Sequence, residues 1–242
     1  MHRVDIVTSP DSNARSQRGL KEVWKNWGPL LASLASAVLF LVLFAWLADG
    51  VFEGAFGGLD LRSRMFVHGL ASPSLTAAMQ AVTFLGSAVF LSILFLVLIA
   101  VFLFLKLRHH AAWLATSMAG AVLLEITLKL VFQRTRPEAF FGRDPTGYSF
   151  PSGHALGSFC FYGILAGLFS SHIKARSARI LLWMAAAALV LAIGFSRIYL
   201  GVHYPTDVIA GYLAASVWVS TLLFVADIRR SAKQRRQEKR ER

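Results

Sequence analysis

One cysteine, Cys160, stands in 242 residues. No intramolecular disulfide is therefore available, and in its apolar surroundings the thiol reads as a small buried hydrophobe. Charge is scarce as well. Asp, Glu, Lys and Arg make up 16% of the chain against 56% hydrophobic residues, a balance that excludes an ordinary soluble domain. No linker, low-complexity tract or internal repeat divides the chain, so it reads as one domain with two short polar ends. An uncleaved first helix is expected rather than a cleaved secretory leader. The polar stretch before the first apolar run is long for such a leader, and no small-x-small cleavage site follows position 47.

Long uncharged runs take up most of the length. Six fall at 30–47, 88–105, 111–132, 155–171, 180–196 and 205–226. Each approaches the ~20 residues that carry a helix across the hydrocarbon core. The expected fold is all-α, an integral membrane bundle of six transmembrane helices spanning 30–226. A polar segment (1–29) precedes it and a basic tail (227–242) follows. The connection 49–83 sets Leu59, Phe66, Val67 and Leu70 among Asp60, Arg62, Arg64 and His68, the pattern of an amphipathic segment lying in the interface. Gly69, Ser72 and Pro73 interrupt it, and a second short helix near 75–85 leads into the next span. This segment reads equally as a wall or doorway for a lipid and as a plain connector.

The net charge of +12 raises a nucleic-acid partner, but the placement of the charge excludes one. Eighteen of the 25 Lys and Arg fall before the first span, in alternate loops, or in the tail. With six crossings all eighteen lie on one side, which the positive-inside rule makes the cytoplasm. Both termini are then cytoplasmic. The tail reads as a disordered segment that sets topology and lies near anionic membrane lipids.

Seven cations break the rule: Arg62, Arg64, Lys129, Arg134, Arg136, Arg143 and Arg197. Three of them fall in motifs, K-x6-R-P (Lys129, Arg136, Pro137), P-S-G-H (Pro151, Ser152, Gly153, His154) and S-R-x5-H-x3-D (Ser196, Arg197, His203, Asp207). Lys129 ends the third span, Ser152 opens the fourth, Arg197 closes the fifth and His203 opens the sixth. All three motifs therefore meet at one extracytoplasmic face. A phosphoryl group in transfer spreads negative charge over three oxygens. Arg136 and Arg197 offer planar forks for it, Lys129 a point charge, and the helix start at Ser152 free N–H groups. Gly153 allows close backbone approach, and Ser152 either caps its helix or donates its hydroxyl. His203 and Asp207, four apart, share a helix face. A carboxylate on one imidazole nitrogen aims the other outward as a nucleophile. His154 is left to protonate the leaving group and then to activate water. The reaction passes through a phosphohistidine, and the three cations remove the need for a metal or other cofactor.

These motifs, at these spacings, resemble the type 2 phosphatidic acid phosphatase (PAP2) superfamily, and all three signature blocks are intact. The resemblance covers Lys129 to Asp207 by motif and most of the chain by its six-span layout. It implies a helical core around an extracytoplasmic site, with His203 as nucleophile, Asp207 as its partner and His154 as the acid. It assigns phosphate binding to Lys129, Arg136, Ser152, Gly153 and Arg197. The motifs are also similar to those of vanadium haloperoxidases and soluble bacterial acid phosphatases, but six apolar spans separate this chain from both.

The expected function is hydrolysis of a lipid phosphate or diphosphate, of the phosphatidic acid, phosphatidylglycerophosphate or undecaprenyl diphosphate class. The compact chain points to a bacterial inner membrane. Two rivals remain: a lipid phosphotransferase of the same superfamily, and a non-catalytic phosphate-binding or transport protein. The second gives no reason for pairing His203 with Asp207. Glu125 reads as the i,i+4 partner of Lys129. Arg134, Arg143, Tyr148 and Tyr199 read either as headgroup contacts or as ordinary loop residues, and Trp24, Trp27 and Trp46 as interfacial anchors. The sequence leaves the oligomeric state open.

Overall fold

A computed structural model of the chain describes residues 10–142 and 145–241, with side chains omitted at 10–26, 234–236 and 238–241. Among the described residues the chain forms eight helices. They are α1 (Pro10–Phe52), α2 (Gly57–His68), α3 (Pro73–Leu85), α4 (Ala88–Phe104), α5 (Arg108–Phe132), α6 (Gly153–Ser170), α7 (Arg176–Tyr199) and α8 (Pro205–Glu241). Two compact units divide the chain, one holding the residues up to Ala37 and those from Ser220 on, the other Val38–Val219. In the first unit, Ser33 Oγ donates to Asp227 Oδ2 at 3.2 Å and Arg230 pairs with the other Asp227 oxygen. The tail departs from the expected disorder, because α8 continues to Glu241. Its run of Arg, Lys, Gln and Glu is composed of strong helix formers, with no Gly or Pro to stop it.

Five helices are long and apolar enough to cross a membrane, and a bent pair makes a sixth candidate. At 1.5 Å per residue the 17 residues of α4 span only about 26 Å, short of the ~30 Å core. α3 adjoins α4 at a 44° bend, and the two helices together reach membrane length. The break follows from local chemistry. Ser72 caps α3, accepting from Leu75 N, with Pro73 in the first turn. Ser87 then starts α4 afresh by accepting from Phe90 N. Gly86 sits in the break, and a Cβ there would meet Ile193 and lie 3.3 Å from His154. The missing side chain at Gly86 therefore lets Ile193 of α7 and His154 of α6 approach the end of α3.

Within the larger unit, Phe44, Leu47 and Ala48 of α1 pack with Ala121 of α5, Leu156 and Cys160 of α6, and Ala210 and Ala214 of α8. Small residues bring the helices close: Gly120 lies against Trp218, and Gly194 against Tyr212 and Val208. The apolar residues facing away from this core, such as Leu96, Leu123 and Leu181, are about two-thirds exposed. Outward greasy surface of this extent suits lipid rather than water. Trp27 and Trp46 are also exposed, 45% and 63%, as interfacial anchors require. The Trp24 side chain lies outside the described residues.

α2 turns Asp60, Arg64 and Val67 inward, while Arg62 is exposed. Asp60 and Arg64 are buried, while Leu59, Leu61, Met65 and Phe66 are all more than half exposed. Arg64 donates to the carbonyls of Glu138 and Gly201 and lies 4.1 Å over the Phe140 ring.

Candidate active site

Four helix ends carry the three motifs, and backbone contacts tie them together. The α5 end is followed by an extended stretch through Arg134 and Arg136. Ser149 N, just before α6, donates back to Arg134 O at 2.9 Å. Ser152 N, at the start of α6, donates to Asp207 O in the first turn of α8, also at 2.9 Å. Five residues from Leu200 to Tyr204 join α7 to α8. Within this turn Gly201 adopts φ +79°, the left-handed region where glycine is unstrained.

His203 is 2% exposed, and its Nδ1 lies 3.3 Å from Asp207 Oδ2. On the other side, Arg136 Nη1 lies 3.0 Å from Nε2. A guanidinium only donates, so Nε2 carries its lone pair and the proton sits on Nδ1, facing the carboxylate. That tautomer leaves Nε2 as the basic, outward-facing atom. Burial pushes the His203 pKa down to about 4; the Asp207 hydrogen bond and charge pull the other way, while Arg136 and Arg197 push further down. The imidazole is therefore neutral at pH 7, as a nucleophile must be.

Arg136 is anchored by Nε to Gly147 O at 3.0 Å and by Nη1 to Val202 O at 3.1 Å. Burial moves its pKa down, while Asp207 and Glu125 act in the opposite sense. Arg197, 9% exposed in the last turn of α7, donates from Nη1 to Thr83 Oγ1 at 2.7 Å. Its Nε is buried without a partner, and so is Ser152 Oγ. Of the two roles open to Ser152, capping is not taken up, so its hydroxyl remains to donate. Two buried donors without a protein acceptor, on the elements that carry the motif cations, suit an anion. His154, in the first turn of α6, is within electrostatic reach of Arg197, His203, Lys129 and Arg136. Lys129 Nζ pairs with Glu125 Oε1 at 2.5 Å, as the spacing predicts. The Glu125 carboxylate also lies where a Cβ on Gly153 would stand, so Gly153 admits Glu125 against the start of α6.

All eight sequence-derived residues thus belong to one end of the larger unit. Several partners had no motif to mark them. Arg134 does not face outward as a headgroup ligand. Its Nη1 donates to Asp207 Oδ1 at 2.6 Å and to Thr206 Oγ1 at 2.8 Å, and its Nη2 to Asp60 Oδ2 at 2.7 Å. Burial works against this cation, but Asp207 and Asp60 more than offset it and raise its pKa. Thr206 also holds Asp60, by its N–H at 3.1 Å and its hydroxyl at 2.7 Å. Tyr199 is fully buried, bonded to Thr76 Oγ1 at 2.9 Å and stacked on Phe141, so it latches α7 to α3 rather than reaching a headgroup. Tyr148 is 36% exposed. Arg143 lies outside the described residues. The one available signal for Arg134 was its place among cations on the wrong side, which require partners. Asp60 and Thr83 carried no signal of their own. Among the described residues, no group of three or more His, Cys, Asp or Glu side chains is gathered as a metal-ligand set.

The chain belongs to the PAP2 superfamily, whose sequence profile matches residues 110–230 and so encloses all three motifs. It is 27% identical over 176 residues to phosphatidylglycerophosphatase B of Bacillus subtilis (strain 168), covering 72% of this chain and 87% of that one. It is 33% identical over 126 residues to an undecaprenyl-diphosphatase of Sulfolobus acidocaldarius, covering 50% and 56%. The fold resembles the crystal structure of a transmembrane PAP2-type phosphatidylglycerolphosphate phosphatase from Bacillus subtilis. That likeness has a TM-score of 0.72 at 25% identity and covers 80% of this chain and 96% of that one. With its apolar helices and this membrane relative, the protein is a multi-pass integral membrane protein.

Proposed function

We propose that this protein is a lipid phosphatase that transfers a phosphoryl group to His203 and then to water. The observation that carries the reading is the His203 ring, flanked by Asp207 at Nδ1 and by a guanidinium at Nε2. Phosphate enters among Lys129, Arg136 and Arg197, with Ser152 Oγ, Arg197 Nε and the backbone at Gly153 donating to its oxygens. Arg136 turns its Nη1 from Nε2 to the phosphate, freeing the lone pair. Nε2 attacks phosphorus in line and the bond to the lipid-side oxygen breaks. His154 gives that oxygen its proton. Water then attacks phosphorus, His154 takes its proton, and the N–P bond breaks to release phosphate. No step calls for a metal.

Relatives named for phosphatidylglycerophosphate and undecaprenyl diphosphate support those two lipids and phosphatidic acid as the substrate class. The reading takes residues 30–226 as the phosphatase domain between two basic cytoplasmic ends. It places the site on the extracytoplasmic face of a bacterial inner membrane, because eighteen of 25 cations fall opposite the motifs. The test is phosphate release by purified protein across the three lipids in detergent, with His203→Ala as the blank. Release from at least one lipid is expected, together with its abolition in a folded His203→Ala protein. Full activity in that variant removes His203 as nucleophile.

A further inference from the structure

Outside the motifs, the most heavily built group of side chains lies behind the nucleophile. Asp60 and Asp207 are fully buried and Thr206 is 2% exposed. Two dry carboxylates this close repel and each carries a large desolvation cost. One guanidinium joins them. Arg134 sends Nη2 to Asp60 and Nη1 to Asp207, and the Tyr204 ring packs 4.2 Å from its centre. Thr206, on the first turn of α8, holds both Asp60 oxygens. This arrangement decides where the Asp207 oxygens go. Oδ1 is taken by Arg134, and Oδ2 is left to Tyr204 N at 2.9 Å and His203 Nδ1 at 3.3 Å.

We propose that Asp60 and Arg134 are positioning residues for the attacking histidine, acting through the Asp207 carboxylate. The inference rests on the phosphohistidine reading above, and it concerns residues that no motif contains. Two effects combine. The fork of Arg134 fixes the carboxylate in the rotation that presents Oδ2 to Nδ1. Asp60, on the other arm, divides the guanidinium charge, so that Asp207 keeps negative charge for the imidazole. That charge matters most as Nε2 bonds to phosphorus and the ring becomes positive. Because Asp60 comes from α2, the nucleophile is tuned from a helix that no motif contains. A point charge cannot bridge the two carboxylates as a planar fork does.

The experiment is a double-mutant cycle on kcat, using whichever lipid of the panel the wild type hydrolyses fastest. Asp60→Asn is expected to lower kcat about 10–100-fold, the size found for outer-shell partners behind metal-bound imidazoles. KM and inhibition by inorganic phosphate should move less than about threefold, because the phosphate ligands are untouched. In an Asp207→Asn background the same substitution should cost less than about twofold, since the carboxylate it acts through is gone. A full second loss in that background marks a merely structural contact and overturns the inference, as does a wild-type kcat in Asp60→Asn alone. If Asp60→Asn does not purify as a single folded species, Arg134→Lys takes its place in the same cycle with the same expectations. A fully active His203→Ala would sink the phosphohistidine reading and this inference with it. An inactive His203→Ala beside a normal Asp60→Asn sinks the inference alone.

Discussion

Thr83→Val tests whether α3 belongs to the reaction. Thr83 lies in no motif, yet its Oγ1 accepts from Arg197 Nη1 at 2.7 Å. Valine keeps the volume and turns the hydroxyl into a methyl. Arg197, with Nε already unpartnered and only 9% of its surface exposed, then loses a hydrogen bond to a charged group. Such a bond contributes about 1.5–3 kcal/mol. If all of it serves to aim Arg197, kcat/KM falls about 10–150-fold. A bound phosphate gives the freed Nη1 a new acceptor, so the lower part of that range, about 10–30-fold, is expected. Thr83→Ser restores the acceptor and should stay near wild type. The assay is phosphate release in detergent beside a thermal melt, so that loss of fold is separated from loss of aim. Thr83→Val within about threefold of wild type, with Arg197→Ala strongly impaired, refutes the argument.

Two further predictions follow from burial and packing. His203 is held neutral down to about 4, first by burial and then by Arg136 and Arg197 against Asp207, and His154 also faces it. The acid limb of kcat/KM should therefore fall through about pH 4, and a limb near pH 6.5 would contradict the buried, neutral imidazole. The same shift has a stability consequence of fixed sign. The unfolded histidine protonates below about 6.5 and the folded one only near 4, so this contribution is complete above 6.5 and is lost as pH falls toward 4. Gly211→Ala places a Cβ 2.7 Å from Ser152 O and 2.9 Å from Ala155 Cβ. Overpacking of this kind costs about 1–3 kcal/mol. A lower melting temperature is expected, with a fall in activity well below that temperature as the turn carrying Ser152 and His154 shifts. A variant unchanged in both would show that α6 and α8 are not tightly seated there.

The sequence made the long helices and the gathering of the motif residues legible because both rest on local or strongly typed signals. A run such as 111–132 has one reading at membrane length. The HxxxD spacing brings His203 and Asp207 together, although α8 starts only at Pro205, so His203 lies in the turn before the helix rather than on its face. Two kinds of feature were not legible. The first is direction. Alternation of Leu59 and Phe66 with Asp60 and Arg64 marks α2 as amphipathic, but not which residues turn inward, and the burial of Asp60 and Arg64 depends on partners remote in sequence. The second is partnership. Arg134 needed two carboxylates, 74 and 73 residues away, and Thr83 serves a residue 114 positions later. The tail misread had a different origin, since charge density argued for disorder while the helix propensity of the same residues prevailed.

Satisfied and orphaned atoms separate the cations of this site by function. Both amino groups of Arg134 are engaged by Asp60, Asp207 and Thr206, so it has little left for a phosphate and, in the proposed mechanism, serves His203 from behind. Arg197 keeps a buried Nε unpartnered, and Ser152 keeps its hydroxyl likewise. A buried donor without an acceptor is costly unless a ligand supplies one. Arg136 stands between these cases, because its Nη1 rests on the nitrogen that must attack. In the resting site it fixes the tautomer; with substrate bound it has a better acceptor in the phosphate oxygens, and leaving Nε2 for them exposes the lone pair. On this argument substrate binding and activation of His203 are one event. An anion that binds without drawing Arg136 away would occupy the pocket and leave the nucleophile covered.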